Sequence, residues 1–221
     1  MITRFFQDRT EAGRFLAQKL AQYADDPNLV VLALPRGGVP VAYEVAQALR
    51  APLDVFVVRK LGLPGYEECA MGAIASDGIC VLDEKLISYF NIPHALIDQT
   101  IAAELAEVKR REQLYRGTRA PVDVTGQTVI IVDDGLATGS TMRAAVNALR
   151  KKNPKQIVVA VPVGARETCD SFNKEVDTRA VCATMPEPFQ AVGLWYRNFS
   201  QTTDAEVQQL LSKAQQAKAA A

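Results

Sequence analysis

The sequence has a single histidine, His94, and this scarcity limits the reaction chemistry that the protein can carry out. A Ser-His-Asp or Cys-His mechanism would have to use this one imidazole, which makes both mechanisms unattractive. The four cysteines, Cys69, Cys80, Cys169 and Cys182, show neither CxxC spacing nor a nearby histidine, so they do not indicate a zinc site. We therefore expect the cysteines to be small buried side chains.

Net charge is absent as well. Lys plus Arg and Asp plus Glu each total 25 in 221 residues, so no global field recruits nucleic acid or an anionic membrane surface. The longest apolar run, LVVLALP from Leu29, is far shorter than the roughly 20 residues that cross a bilayer. Charged residues among the first twenty positions interrupt any signal-peptide core. We expect a soluble cytoplasmic protein that binds neither nucleic acid nor membranes.

Apolar runs alternate along the chain with segments of helical period. The runs lie at 29–34, 53–58, 79–83, 128–133, 156–161 and 178–184, and the helical segments at 39–50, 140–152 and 165–175. Most of the runs are continuous and rich in β-branched residues, which is typical of parallel strands covered on both faces. This order predicts an α/β fold with a doubly wound, mainly parallel sheet flanked by helices.

Two regions depart from the simple alternation. Asp77-Gly78 lies between two short apolar runs within 71–83, a hairpin signal that predicts a small antiparallel excursion. Residues 97–117 have apolar side chains at spacings of three and four, which predicts a long helix. That helix either covers the sheet or pairs with another subunit, in which case the protein is a homodimer.

The stretch VIIVDDGLATGST, which ends at Thr141, predicts a buried strand, a tight loop and the start of a helix. Glycines in such a loop let backbone N–H groups approach a ligand, and the helix N-terminus carries about half a positive charge. Both features favour phosphate. The residues that offer amides or hydroxyls here are Gly135, Leu136, Ala137, Thr138, Gly139, Ser140 and Thr141.

Asp133 and Asp134 begin the same loop and would repel that phosphate. Two like charges about 4 Å apart cost about 4 kcal/mol at an effective dielectric near 20. Paired carboxylates next to a phosphate cradle are good acceptors for the hydroxyls of a vicinal diol, directly or through Mg²⁺. A phosphate and a diol at that separation describe ribose 5-phosphate. The alternative is an Asp pair that only caps the loop, although capping requires a single Asp.

Other phosphate loops do not fit these residues. A Walker loop requires GK[ST], and no lysine lies within 135–141. The dinucleotide fingerprint GxGxxG is absent after the first strand. An aspartyl-phosphate enzyme commonly uses a D-x-D pair, but Gly135 stands two positions after Asp133.

A second anion site is indicated after the first strand, where PRGG places Arg36 before Gly37 and Gly38. A guanidinium beside exposed amides suits a further phosphate group. Arg59 and Lys60 add positive charge after the second strand. The alternatives are an ordinary turn for PRGG and a solvated strand end for the Arg-Lys pair.

Together these residues resemble the type I phosphoribosyltransferase family. The similarity rests on VIIVDDGLATGST, on PRGG, and on VVRKLGLPGYEECAMGAIASDG, within residues 29–161. It implies a five-stranded parallel core with a small hood, and phosphoribosyl diphosphate (PRPP) with Mg²⁺ as ligands. It also implies one domain over 1–221, with the core at about 25–165 and the hood at about 1–24 and 178–221.

The resemblance implies roles for individual residues. Asp133 and Asp134 would hold the ribose hydroxyls and meet Mg²⁺ indirectly through PRPP, and 137–141 would cradle the 5-phosphate. Arg36 and Gly37, with Lys60, would hold the pyrophosphate. Gly38, Arg59, Gly135 and Leu136 are also counted as PRPP-binding. We count Asp133, Asp134, Arg36 and Lys60 as the catalytic set.

The acceptor is less well specified. Ala137 stands where members acting on 6-oxopurines usually carry a third aspartate, which resembles adenine-type enzymes, whereas RGG is more similar to xanthine- and guanine-type ones. Trp195 and Tyr196 lie in an aromatic segment beyond the last strand, where rings either stack on a heterocycle or pack the hood on the core. Residues 61–72, with Gly62 and Gly65 as hinges, are predicted to close over the site, with Glu67 or Glu68 near the acceptor.

Two classes of function remain open. The first is an enzyme that transfers a phosphoribosyl group to a nitrogen acceptor, a nucleobase and preferably a purine, and releases pyrophosphate. The second is a non-catalytic regulatory protein that binds PRPP or a nucleotide.

Overall fold

The computed structural model describes residues 5–63 and 66–219, without the side chains of residues 66–69 and 218–219. The helices are α1 (Arg9–Lys19), α2 (Gly38–Leu49), α3 (Glu84–Tyr89), α4 (His94–Arg116), α5 (Ser140–Arg150), α6 (Arg166–Phe172) and α7 (Asp204–Ala219). The strands are β1 (Leu29–Ala33), β2 (Leu53–Val55), β3 (Val58–Leu63), β4 (Tyr66–Ala75), β5 (Cys80–Leu82), β6 (Thr128–Val132), β7 (Gln156–Val163) and β8 (Thr178–Thr184). An apolar stretch of the kind that spans a bilayer does not occur in any described helix.

The main sheet has five parallel strands in the order β2-β1-β6-β7-β8. The chain leaves β1 towards β2 on one side and leaves β6 towards β8 on the other. The loops that follow β1 and β6 therefore diverge and open a crevice at the carboxyl edge of the sheet, which is the usual ligand position in doubly wound folds. The predicted fold class is confirmed.

Side chains on the strands alternate between two hydrophobic layers. In β6, Ile130 and Val132 face the layer covered by α1, α2, α4 and α7, whereas Val129 and Ile131 face the layer covered by α5 and α6. Every residue of β1 and β6 is buried. Burial on both faces explains why these strands appear in the sequence as continuous apolar runs.

A second sheet, antiparallel and three-stranded, has the order β3-β4-β5. Asp77 and Gly78 form the turn between β4 and β5, both at positive φ, so the predicted antiparallel excursion is confirmed. Asp77 forms an ion pair with Lys152, just beyond the C-terminal end of α5, which ties the small sheet to the main domain. The predicted strand 53–58 is divided between the two sheets.

Strand β8 corrects one part of the expected division into core and hood. We assigned 178–184 to the hood, but β8 pairs in parallel with β7 and completes the main sheet. The N-terminal helix α1 also packs on α2 and on the sheet, with Leu16 and Ala17 buried in the core layer. The remaining boundaries of the hood stay a prediction.

The cysteines differ from their expected role. Cys169 of α6 and Cys182 of β8 form a disulfide, whereas we expected small buried thiols. Cys80 is free and partly buried, and the side chain of Cys69 lies outside the described residues. Because disulfides persist mainly in oxidising compartments, the bond does not support the cytoplasmic assignment, which stays a prediction.

A buried ion pair joins the end of α4 to the edge strand β2. Arg116 Nε lies 3.1 Å from Asp54 Oδ2, and the two side chains are only 6% and 5% exposed. Arg116 Nη2 also donates to the Val55 carbonyl oxygen at 3.1 Å. Arg116 Nη1 also lies 3.1 Å from Glu112 Oε1. Removing Asp54 therefore leaves the buried guanidinium with one of its two carboxylate partners, and it leaves the amides of Val55 and Val122 without their acceptor.

Replacing Asp54 with alanine should therefore lower the free energy of unfolding by about 3 kcal/mol. The matched control is Asp25→Asn, which removes the charge from the Arg50 ion pair, whose side chains are 80% and 67% exposed, and keeps a residue type that tolerates the φ of +60° at this position. That change should cost less than about 1 kcal/mol, because exposed pairs are screened by solvent. Denaturant unfolding measures both values, and equal losses would show that the Asp54 pair is not an anchor.

Candidate functional site

The turns that follow β1 and β6 are in direct contact. A Cβ added at Gly37 would lie 2.1 Å from Asp134 Oδ2, and one at Gly38 would lie 2.6 Å from the Val132 carbonyl oxygen. Only glycines permit this approach, although both are in ordinary helical or near-helical conformation. The two anion sites predicted separately from PRGG and from the acidic loop are thus adjacent.

The loop between β6 and α5 is held in place by hydrogen bonds at 136 and 137, and most of the residues that follow are exposed. Buried Leu136 donates its N–H to Val163 and accepts from the N–H of Ala165, at 2.9 and 2.8 Å. Thr168 Oγ1 donates to the Ala137 carbonyl oxygen at 2.7 Å. The side chains of 137, 138, 140 and 141 are exposed.

Gly139 lets the loop turn into the helix. Its φ of +76° lies in the left-handed region that favours glycine, and α5 begins at the next residue. No side chain caps this helix start, so the first amides of α5 are available to an anion. The loop therefore has the geometry of a phosphate cradle.

The carboxylates of Asp133 and Asp134 lie beside this cradle and are largely buried. Burial raises the pKa of Asp133 well above its ordinary value, and the neighbouring Asp134 raises it further. Burial also raises the pKa of Asp134, although Arg9 opposes that shift. Such a pair is stabilised as carboxylates by hydroxyl donors or by a cation.

The donor set of this pair fits Mg²⁺, which binds hard oxygen ligands and is commonly held by one or two carboxylates together with substrate oxygens. Among residues 5–63 and 66–219, no three His, Cys, Asp or Glu side chains cluster as metal ligands. Of the described residues, Asp133 and Asp134 would be the ones that hold the ion, together with oxygens of the substrate and water.

Arg9 of α1 is part of the site, and the sequence analysis missed it. Its Nε and Nη2 each lie 2.8 Å from Asp134 Oδ2. The two residues are 125 positions apart, and nothing local in the sequence indicates which of the arginines meets the acidic loop. Only the packing of α1 on the main sheet brings them together.

Arg36 lies at the same edge of the sheet with its side chain 35% exposed. One guanidinium nitrogen is 3.9 Å from Asp204 Oδ1, at the first residue of α7. The hydroxyl of Tyr115 donates to the same oxygen at 2.6 Å. Burial and then this hydrogen bond raise the pKa of Tyr115 to about 12. The Arg36 side chain therefore lies beside the start of α7, with an acidic neighbour from that helix.

Arg59 and Lys60 both line a cavity of about 530 Å³ against α4. Arg59 Nε donates to Glu104 Oε2 of α4 at 2.6 Å, which raises the pKa of Arg59. Lys60 is exposed and lines a cavity of about 650 Å³ that also reaches Ser140 and Arg143 of α5. Lys60 thus lines a cavity that reaches the first residue of α5, whereas Arg59 is already paired.

The predicted closing segment is described only in part. Gly62 lies within β3 at an irregularity in the pairing with β4. Gly65 lies outside the described residues, and so do the side chains of Glu67 and Glu68. Closure over the site stays a prediction.

Trp195 and Tyr196 are buried rather than open to the crevice. Tyr196 donates its hydroxyl to the Asp134 carbonyl oxygen at 2.6 Å. Trp195 stacks on Phe5 with ring centroids 5.3 Å apart, and Trp195 and Tyr196 join a cluster around Phe6. This placement corrects the prediction of an acceptor pocket formed by these rings and favours the alternative, packing of the terminal segments against the acidic loop.

Comparison with known proteins gives a consistent result. The model of the phosphoribosyl transferase domain family matches residues 6–194. A Mycobacterium tuberculosis H37Rv protein, provisionally assigned as a phosphoribosyl transferase, is 46% identical over 211 residues, which are 96% of this chain and 47% of that protein. The bifunctional protein PyrR of Halalkalibacterium halodurans is 38% identical over 113 residues, 47% of this chain and 63% of that protein. The chain thus spans about half the length of the mycobacterial relative.

A solved structure is also similar over nearly the whole chain. The crystal structure of TT1426 from Thermus thermophilus has a TM-score of 0.83 and 37% sequence identity, and the match covers 95% of this chain and 98% of that one.

The contact between the two turns can be tested by adding a methyl group. Gly37→Ala suits the local φ of −60° but places its Cβ against Asp134, so we expect a loss of roughly 1–3 kcal/mol in unfolding free energy. Combined with Asp134→Ala, which removes the carboxylate, the loss should be less than additive. Denaturant unfolding of the two single variants and the double variant measures this coupling.

Gly117→Ala is the control for additivity, since a Cβ there meets nothing within 4 Å and its cost comes from the backbone strain of a φ of +65°. Its effect should add to that of Asp134→Ala. Additive losses for both glycine positions would contradict the contact.

Proposed function

Because the chain belongs to the phosphoribosyl transferase domain family, we propose that it transfers a 5-phosphoribosyl group from PRPP to a nitrogen acceptor with release of pyrophosphate. Mg²⁺ accompanies PRPP in this proposal. Since the chain spans about half the length of the mycobacterial relative, the proposal concerns this domain.

One observation carries the proposal: the phosphate cradle, the acidic pair and the PRGG turn meet at a single crevice. The exposed residues 137, 138, 140 and 141 suit a 5-phosphate, and Asp133 and Asp134 beside them suit the ribose hydroxyls. Arg36 and the Gly37 amide lie across the turn contact and suit the pyrophosphate, whereas the Gly38 amide already donates to the Leu34 carbonyl oxygen at 3.1 Å. Lys60 lines a cavity that reaches Ser140 at the end of the same loop. The arrangement supports one ligand with phosphates at both ends of a sugar.

The chemistry follows from charge and position. The bond between the anomeric carbon and the pyrophosphate oxygen breaks while the acceptor nitrogen bonds to that carbon, and the acceptor releases its N–H proton. When bound, Mg²⁺ would neutralise charge on the departing pyrophosphate. Arg36 and Lys60 would stabilise the same group, and Asp133 and Asp134 would hold the ring in a fixed orientation.

The acceptor is proposed to be a nucleobase, with a purine as the first candidate. The family as a whole, and the similarity of RGG to guanine- and xanthine-type members, support this choice. Trp195 and Tyr196 do not contribute open ring faces, so the acceptor pocket is proposed without them.

A non-catalytic regulatory protein that binds PRPP or a nucleotide is the second candidate. It is favoured by one observation: several charged groups of the site already have protein partners. Arg59 is paired with Glu104, Asp134 with Arg9, and Arg36 has Asp204 nearby. Such a site can retain ligand binding without turnover.

Pyrophosphate release separates the two candidates. The protein with PRPP and Mg²⁺ should release pyrophosphate when one member of a panel of purine and pyrimidine bases is added. Measured binding of PRPP without release for any base would contradict the enzyme and favour the regulator.

The acidic pair can be tested by its dependence on the metal. Asp133→Asn with Asp134→Asn should weaken PRPP binding about tenfold or more with Mg²⁺ present, as expected for lost hydrogen bonds to charged groups. Without Mg²⁺ the loss should shrink, because removing two negative charges also removes repulsion of a polyanion. Calorimetry measures both conditions.

Asp123→Asn is the control, since Asp123 lies on an exposed turn where its carboxylate accepts the N–H of Thr125. The affinity of Asp123→Asn for PRPP should match that of the unaltered protein. If Mg²⁺ changed the PRPP affinity of the double variant, Asp133→Asn with Asp134→Asn, by the same factor as that of the unaltered protein, the assigned role of the acidic pair would be contradicted.

A further inference from the structure

We propose that Arg9 is a positioning residue for the ribose site: the N-terminal helix supplies a guanidinium that fixes Asp134 in the orientation in which it meets the sugar. The inference rests on the proposed function and adds a residue that lies outside the motifs of the acidic loop and the PRGG turn. It is carried by four contacts of described residues.

The first two contacts hold a single oxygen of Asp134. Arg9 Nε and Nη2 both lie 2.8 Å from Oδ2. The same oxygen lies against the backbone of Gly37, where a Cβ would be 2.1 Å away. Oδ2 is thus enclosed between a guanidinium and a glycine turn. Among the described residues, the hydrogen bonds of this carboxylate to other side chains all use Oδ2, which leaves Oδ1 for a ligand.

The other two contacts hold Arg9 itself. Its Nη1 donates to the Ser200 carbonyl oxygen at 2.7 Å. Its guanidinium carbon lies 4.0 Å from the centroid of the Phe199 ring, a cation–π arrangement. The side chain is 11% exposed, against 16% for Asp134. Arg9 is therefore not a mobile surface arginine, and a planar guanidinium held on three sides orients a carboxylate better than a single ammonium could.

Arg9 also changes the charge that the ligand meets. Two adjacent carboxylates beside a phosphate cradle would repel PRPP, and one fixed guanidinium compensates half of that charge. Among the described residues the hydrogen bonds of Arg9 to the acidic pair go to Asp134, while its charge also acts on Asp133, whose pKa it lowers against the larger effect of burial. The segment at 199–200, which lies outside the acidic loop and PRGG, thereby contributes to the ribose site through Arg9.

The test compares Arg9→Gln, Arg9→Lys and Arg14→Gln. Arg14 is the matched control because it lies on the same helix and its Nε donates to Glu44 at 2.8 Å, but its side chain is 70% exposed. Calorimetry of the full chain with PRPP and Mg²⁺ should show affinity at least tenfold weaker for Arg9→Gln. Arg9→Lys should be intermediate, because it keeps the charge and loses the planar pair of donors. Arg14→Gln should stay within twofold of the unaltered protein.

A double-variant comparison separates positioning from a general structural role. If Arg9 acts through Asp134, then Arg9→Gln should weaken PRPP binding by a smaller factor in the Asp134→Asn variant than in the unaltered protein. A purely structural arginine would lower the melting temperature and leave the affinity of the folded protein unchanged. Where Arg9→Gln fails to fold, Arg9→Lys with and without Asp134→Asn provides the same comparison.

Each outcome decides the inference. Absence of PRPP binding by the unaltered protein would contradict the proposed function and this inference with it. Binding by the unaltered protein with equal affinity for Arg9→Gln would contradict the inference alone. Additive losses in the double variant would also overturn it, because Arg9 would then act independently of Asp134.

Discussion

The contact between the turns after β1 and β6 determines the rest of the site. Asp134 can lie against the backbone of Gly37 only because that residue has no side chain, and Gly38 allows the same approach to Val132. The topology of the sheet brings these turns together, since β1 and β6 are neighbours from which the chain departs in opposite directions. The proposed phosphate cradle and the second, basic turn therefore lie side by side in one crevice.

The terminal helices place charged side chains beside the charged residues of this crevice. The N-terminal helix brings Arg9 to Asp134, and the C-terminal helix brings Asp204 to within 3.9 Å of Arg36. Asp134 and Arg36, the two proposed ligand-binding residues that lie next to these helices, thus each have an oppositely charged side chain nearby. A site arranged in this way is stable without a ligand, and a polyanion with its metal ion must compete with these internal partners for Arg36 and Asp134. Tyr196 adds a hydrogen bond to the backbone of the same acidic loop.

Local sequence predicted the fold well because its causes are local: continuous β-branched runs predict parallel strands. The anion site at the loop before α5 stays a prediction. Pairings over long separations were not predictable in this way. Arg9 meets Asp134 across 125 positions, the disulfide at Cys169 and Cys182 depends on α6 lying beside β8, and Arg59 is paired by α4. Composition alone also could not decide whether the aromatic segment with Trp195 and Tyr196 binds a base or packs against the rest of the protein.

The most direct measurement of the central claim is a crystal structure of the full chain with PRPP and Mg²⁺. We expect the 5-phosphate on the amides at 137–141 and the two ribose hydroxyls within about 2.6–3.2 Å of the carboxylates of Asp133 and Asp134, directly or through the metal ion. PRPP bound elsewhere, or a ribose turned away from these two carboxylates while its phosphate occupies the cradle, would contradict the assignment of the acidic pair as the ribose clamp.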